Sequence, residues 1–172
     1  MELKPVFSAD AIQRRVREMA AEIDALYGDE PLVVICVLKG AFFFFSDLVR
    51  AMNKEVAIDF VRLASYGSGT ESSGHVQLTK DVELSLEGRH VLIVEDIVDT
   101  GRSMDFFISC CQARGAASVR LAVLIDKLER REVSVHTDFA GFSLPGGFLV
   151  GYGLDCEEKY RTLPAVYELT GC

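Results

Sequence analysis

Histidine and cysteine are too few and too scattered in this sequence to outline a metal centre. The three histidines, His75, His90 and His136, stand far apart. The five cysteines, Cys36, Cys110, Cys111, Cys156 and Cys172, are odd in number and include no C-x-x-C pair. Zinc-ligand spacing is therefore absent, and the thiols read as reduced. Lysine and arginine never gather into a block, and the formal net charge is -8. That is the wrong sign for a nonspecific nucleic-acid binder. The most apolar stretch, Leu32–Val49, is interrupted by Lys39, Gly40 and Asp47, too broken to span a bilayer. Met1–Asp10 carries acidic and polar residues in place of the apolar centre of a secretory signal. There is no internal repeat, no GxxxxGKS/T loop and no GxGxxG turn, so a nucleoside triphosphate or a dinucleotide loses support as the ligand. The expectation is a cytoplasmic protein that engages neither nucleic acid nor membrane.

What is present suits a single α/β domain over residues 1–172. Hydrophobic residues make up 49% and charged residues 26% of the chain, enough apolar material for a core. Ile12, Val16, Met19, Ile23 and Leu26 recur at helical spacing behind Ser8, which predicts an N-capped amphipathic helix over Ser8–Tyr27. Strands are predicted at Leu32–Leu38, Val56–Leu63, Val91–Val94 and Ser118–Ile125, with helices over Ala41–Met52 and Ser103–Arg114. Shorter strands are expected at Phe139–Phe142 and Phe148–Tyr152, separated by a Pro145-Gly146-Gly147 turn. Ser65–Lys80, rich in glycine, serine and threonine, reads as a mobile loop. Strand–helix–strand alternation with short connections predicts a doubly wound, mainly parallel sheet flanked by helices. Ligands of such sheets bind at the carboxyl ends of the strands, where Lys39-Gly40, Ser65-Tyr66, Glu95–Ser103 and Asp126-Lys127 fall.

The segment VLIVEDIVDTGRSM, Val91–Met104, carries the most chemistry. Glu95 and Asp96 end a run of four apolar residues. Two carboxylates at a buried edge repel each other unless a cation or hydroxyl donors sit between them. Magnesium, a hard cation often held jointly with substrate oxygens, fits that pair; so do the hydroxyls of a sugar. Asp99-Thr100-Gly101-Arg102-Ser103 then forms a small, hydroxyl-rich turn directly before a helix. Gly101 permits close backbone approach, and free N–H groups there can hold an anion. The segment implies one ligand bearing vicinal hydroxyls and a phosphate.

EDIVDTGRS resembles the phosphoribosyl pyrophosphate signature of the type I phosphoribosyltransferases. Three more segments, VLKGAFFF at Val37–Phe44, LIDKLERRE at Leu124–Glu132 and DFAGFSLPGGFLVGYGLDCEEKYRTLP at Asp138–Pro164, narrow the resemblance to the hypoxanthine-guanine branch. It implies the type I fold, with a small hood made from the N- and C-terminal segments. It implies a magnesium-dependent enzyme of purine salvage that joins a 6-oxopurine to phosphoribosyl pyrophosphate, as a homodimer or homotetramer. Glu95 and Asp96 would bind the ribose hydroxyls, directly or through magnesium. Asp99, Thr100, Gly101, Arg102 (by its backbone) and Ser103 would hold the 5′-phosphate, and Asp99 would also act as general base or acid at purine N7. Lys39, Gly40 and Arg161 would contact pyrophosphate, in a loop that often carries a non-proline cis peptide. Lys127, Phe148 and Leu149 would recognise the base, Asp155 would lie in the purine site and hold a second magnesium, and Ser65-Tyr66 would open a lid. Taken singly, Lys39, Lys127, Phe148, Asp155 and Arg161 read as ordinary surface or core residues, so their roles rest on the resemblance. A xanthine-preferring transferase and a regulatory relative that binds nucleic acid are the alternatives.

Overall fold

Ser8 starts the first helix as its spacing predicts: its hydroxyl accepts the N–H of Ala11 at 3.1 Å. A computed structural model describes residues 1–66 and 75–171. In it, α1 (Ala9–Tyr27) buries Ile12, Val16, Met19, Ala20, Ile23 and Tyr27 on one face. Three elements follow: β2 (Leu32–Leu38), α2 (Phe42–Ala51) and β3 (Ala57–Tyr66). An edge strand β4 (His75–Lys80) leads to β5 (His90–Val98), α3 (Arg102–Ala113), β6 (Ser118–Lys127) and β7 (Phe139–Leu144).

These strands form one six-stranded sheet in the order β4-β3-β2-β5-β6-β7, parallel except for β4. Alternate side chains of β2 and β5 feed two cores. Val34, Cys36, Leu92 and Val94 pack with α1 and α2, while Val33, Ile35, Val37, Val91 and Ile93 pack with Met104 and Phe107 of α3. A strand buried on both faces reads as a continuous apolar run, which is why these strands were legible.

A second sheet joins the ends of the chain. β1 (Glu2–Phe7) pairs with β9 (Val166–Thr170), which pairs with the two-residue β8 (Leu149–Val150), all antiparallel. Phe7 stacks on Phe142 of β7 with ring centroids 3.9 Å apart and fixes this hood to the main sheet.

Several expectations need correction. Ser65 and Tyr66 lie inside β3, paired with Val76 and His75 of β4, so Ser65–Lys80 is not loop throughout. Its residues 67–74 lie outside the described residues. β5 runs past the predicted Val94 end, through the acidic pair to Val98, and α3 starts at Arg102, which leaves a turn of three residues, Asp99–Gly101. Of the predicted Phe148–Tyr152 strand, Leu149 and Val150 form a strand, which belongs to the hood, and Gly151 makes an isolated bridge with Leu154.

Candidate active site

The chain leaves β2 through α2 toward β3 on one side and later places β5 on the other side of β2. Ligands of doubly wound sheets bind where the winding reverses in this way. The carboxyl ends of β2 and β5 therefore bring Lys39-Gly40 beside Glu95-Asp96. The Cα of Gly40 lies against the Asp96 carboxylate so closely that a Cβ would collide with it. Glu95 is only 7% exposed. Burial, and then the neighbouring charge of Asp96, push its carboxyl well above the ordinary value of 4.5. Glu95 Oε1 accepts the Asp96 N–H at 2.9 Å, and Asp96 Oδ1 accepts the Ile97 N–H at 2.6 Å.

Beyond Val98 the turn Asp99–Gly101 is held from outside. The Thr100 carbonyl accepts the N–H groups of Glu132 and Val133 at 2.9 and 3.0 Å. Gly101 has φ +86, and a Cβ there would lie 2.5 Å from the Val133 carbonyl oxygen. Glycine is required on both counts. Gly101 gives α3 no side-chain cap; the Arg102 N–H donates to the Thr100 hydroxyl at 3.4 Å, and the N–H groups of the next residues of this first turn can face an anion. Glu95, Asp99, Thr100, Gly101, Ser103 and Met104 help line a cavity of about 130 Å³ at this point. Asp99 Oδ1 is buried without a hydrogen-bond partner, while Oδ2 meets Arg130 Nη1 at 3.3 Å. The Arg102 side chain turns away to pair with Glu132.

Where β2 ends, a non-proline cis peptide joins Leu38 to Lys39. Lys39 Nζ pairs with Glu158 at 3.1 Å, Glu158 with Arg161 at 3.0 Å, and Arg161 with Asp155 at 3.1 Å. Arg161, and then Lys39, hold the Glu158 carboxyl below its ordinary range. Glu158 thus connects two residues widely separated in sequence, and nothing in EEKY distinguishes it from surface. Its backbone is left-handed, as are those of Tyr152, Glu157 and Tyr160. Such strain is characteristic of sites that the surrounding structure holds in place. Gly153 packs directly on the Gly40 carbonyl, with no room for a side chain.

At the end of β6, Lys127 Nζ donates to the Gly147 carbonyl at 2.6 Å. That contact brings Lys127 to the residue preceding Phe148, which is 50% exposed, and the buried Leu149. Both Asp155 oxygens are engaged, Oδ1 by Arg161 and Oδ2 by the Glu158 N–H at 2.8 Å. Ser65 and Tyr66 extend past Arg62, the partner of Leu38, and so project on the ligand side of the sheet.

The family relationships agree with this geometry. Residues 5–157 match the model of the phosphoribosyl transferase domain, the class that this sheet and ribose-type site define. The chain is 45% identical over 166 residues to a hypoxanthine-guanine phosphoribosyltransferase of Aquifex aeolicus, covering 96% of this chain and 93% of that one. It is 41% identical over 172 residues to the Bacillus subtilis protein of the same name, covering 96% of each. The crystal structure of a hypoxanthine-guanine phosphoribosyltransferase from Bacillus anthracis superposes with a TM-score of 0.93 at 40% identity, covering 98% of this chain and 99% of that one. The chain belongs to the hypoxanthine-guanine phosphoribosyltransferase family.

Proposed function

We propose that this protein displaces pyrophosphate from C1′ of phosphoribosyl pyrophosphate with a ring nitrogen of hypoxanthine or guanine, yielding IMP or GMP. The observation that carries the reading is the unpartnered, buried Oδ1 of Asp99, placed in one cavity with Glu95 and the anion-binding start of α3. A carboxylate there can take the purine proton as the glycosidic bond forms. Glu95 and Asp96 receive the ribose hydroxyls, which add donors to those of the Asp96 and Ile97 N–H groups. Thr100, Gly101, Arg102 and Ser103 hold the 5′-phosphate with backbone and hydroxyl donors. Lys39 and Arg161 exchange their pairing with Glu158 for the departing pyrophosphate. Lys127 leaves the Gly147 carbonyl for the 6-oxo group, Phe148 stacks on the base and Leu149 reads its edge. Adenine presents an amino donor to Lys127 and is disfavoured.

Magnesium fits the acidic pair. Among the described residues no three metal-binding side chains converge, but the ion is commonly held by one or two carboxylates together with substrate oxygens. Glu95 and Asp96 would hold it that way, and its charge would stabilise pyrophosphate as a leaving group. A second ion at Asp155 would require that carboxylate to release Arg161. The sugar passes through an oxocarbenium-like state that water would trap, and a lid opening at Ser65-Tyr66 gives protection. No described helix is long and apolar enough to cross a membrane. We place the enzyme in the cytoplasm, as a homodimer or homotetramer.

The test is turnover with phosphoribosyl pyrophosphate, magnesium and each of hypoxanthine, guanine, xanthine, adenine and uracil. Turnover with hypoxanthine or guanine is expected. No turnover with any 6-oxopurine ends the proposal, and a clear preference for xanthine redirects it.

A further inference from the structure

The run DKLERRE reads as solvated surface, but one of its arginines is not. The Arg131 side chain is 18% exposed and crosses behind the phosphate turn. Its Nε donates to the Asp99 carbonyl at 3.0 Å, and its Nη2 reaches the Val98 carbonyl at 3.5 Å. The same Nη2 donates to the Lys127 carbonyl at 2.9 Å and to the carboxylate of Asp126. Asp126 is fixed in turn by the Thr137 hydroxyl at 3.2 Å. The Cδ of Arg131 lies 3.2 Å from where a Cβ on Gly101 would stand, so the turn glycine also makes room for this side chain.

We infer that Arg131 is a positioning residue that sets the spacing between the phosphate turn at the end of β5 and the base-recognition lysine at the end of β6. It touches no substrate. It holds the backbones of Asp99 and Lys127, the two residues assigned to N7 and to the neighbouring 6-oxo group of the purine, through a single rigid guanidinium. Only arginine has the planar fork of donors for this; a lysine ammonium cannot span both strand ends. The inference rests on the transferase reading given above. It adds that the phosphate half and the base half are held in register by one side chain, so their affinities rise and fall together.

The test uses Arg131→Ala in the full chain, with KM for phosphoribosyl pyrophosphate and for hypoxanthine, kcat, and melting temperature measured with and without guanidinium at millimolar concentration, far below denaturing levels. Both KM values should rise by about tenfold or more, since each strand end loses a charge-assisted bond. The fall in kcat should be smaller, and guanidinium should recover part of both KM losses. A rise in only one KM overturns the inference. So does a loss that guanidinium leaves untouched while melting falls, which marks a merely structural residue. If Arg131→Ala does not fold, Arg131→Lys and Asp126→Asn replace it: both KM values should rise in each, and wild-type values in Arg131→Lys overturn the inference. Wild type serves as the control for the reading beneath. If it turns over no base, that reading fails. The strut is then judged by phosphoribosyl pyrophosphate calorimetry and by faster exchange of the Glu132 and Val133 amides that bond Thr100. Unchanged exchange and binding in Arg131→Ala reject it.

Discussion

The carboxylate of Asp96 occupies the space in which a side chain on Gly40 would begin. Gly40 does not have a left-handed backbone, so glycine serves here to give room, not conformational freedom. Gly40→Ala must displace either Asp96 or the Lys39 loop. We expect kcat/KM for phosphoribosyl pyrophosphate to fall by on the order of a hundredfold, as displacements of about 1 Å at reacting centres do. Stability should fall by only about 1–3 kcal/mol, typical of local overpacking. Steady-state kinetics and thermal melting check this; unchanged kinetics would separate Gly40 from the site.

Asp99→Asn keeps the shape of the carboxyl group and removes its capacity to accept a proton. Turnover should fall by about 10² to 10⁴, the range for loss of a general base. Affinity for phosphoribosyl pyrophosphate should move far less. Calorimetry against single-turnover rates distinguishes the two, and equal losses would assign Asp99 to binding.

Cys36 and Cys111 are buried, and burial foremost pushes each thiol up to about 12. The thiolate is the reactive form. Alkylation of the native protein at mildly alkaline pH should leave both unmodified, and both should react after denaturation. Mass spectrometry of the labelled peptides provides the measurement.

Arg114 grips Asp81 through two hydrogen bonds of 2.7 Å, tying the end of α3 to the segment after β4. The guanidinium holds the Asp81 carboxyl below its ordinary value of 3.8. A depressed carboxyl contributes its stability above the unfolded value and loses it as pH falls through the folded one. Arg114→Ala should therefore cost about 0.2–1 kcal/mol at neutral pH, a modest amount because the pair is exposed. The gap to wild type should close as pH drops below 3.8. Denaturant melts across that range test the sign.

The β5–α3 half of the candidate site was legible because local sequence builds it. Four apolar residues make a buried strand, two acids continue it, and a glycine turn starts a helix, all within Val91–Met104. The α1 cap and the limits of β2 were readable for the same reason. β4 and β9 were not. An edge strand such as His75–Lys80 needs few apolar residues, because its solvent side asks for none. β9 exists because β1, more than 150 residues away in the chain, pairs with it. Arg131 and Glu158 were missed for a related reason. A charge run looks alike whether its members face water or a distant carbonyl, and only the fold shows which one turns inward.

The hood also constrains the order in which this enzyme can be made. β8 has two residues and, among the described residues, only β9 as a strand partner, and β9 is completed by β1. A ribosome releasing the chain can let the turn after β5 form once the chain through Val133, which holds that turn, has emerged. The wall carrying Phe148 and Leu149 must wait until residues 166–170 are synthesised and the first strand is still free to receive them. A newborn chain therefore has the cavity at the start of α3 before it has the hood.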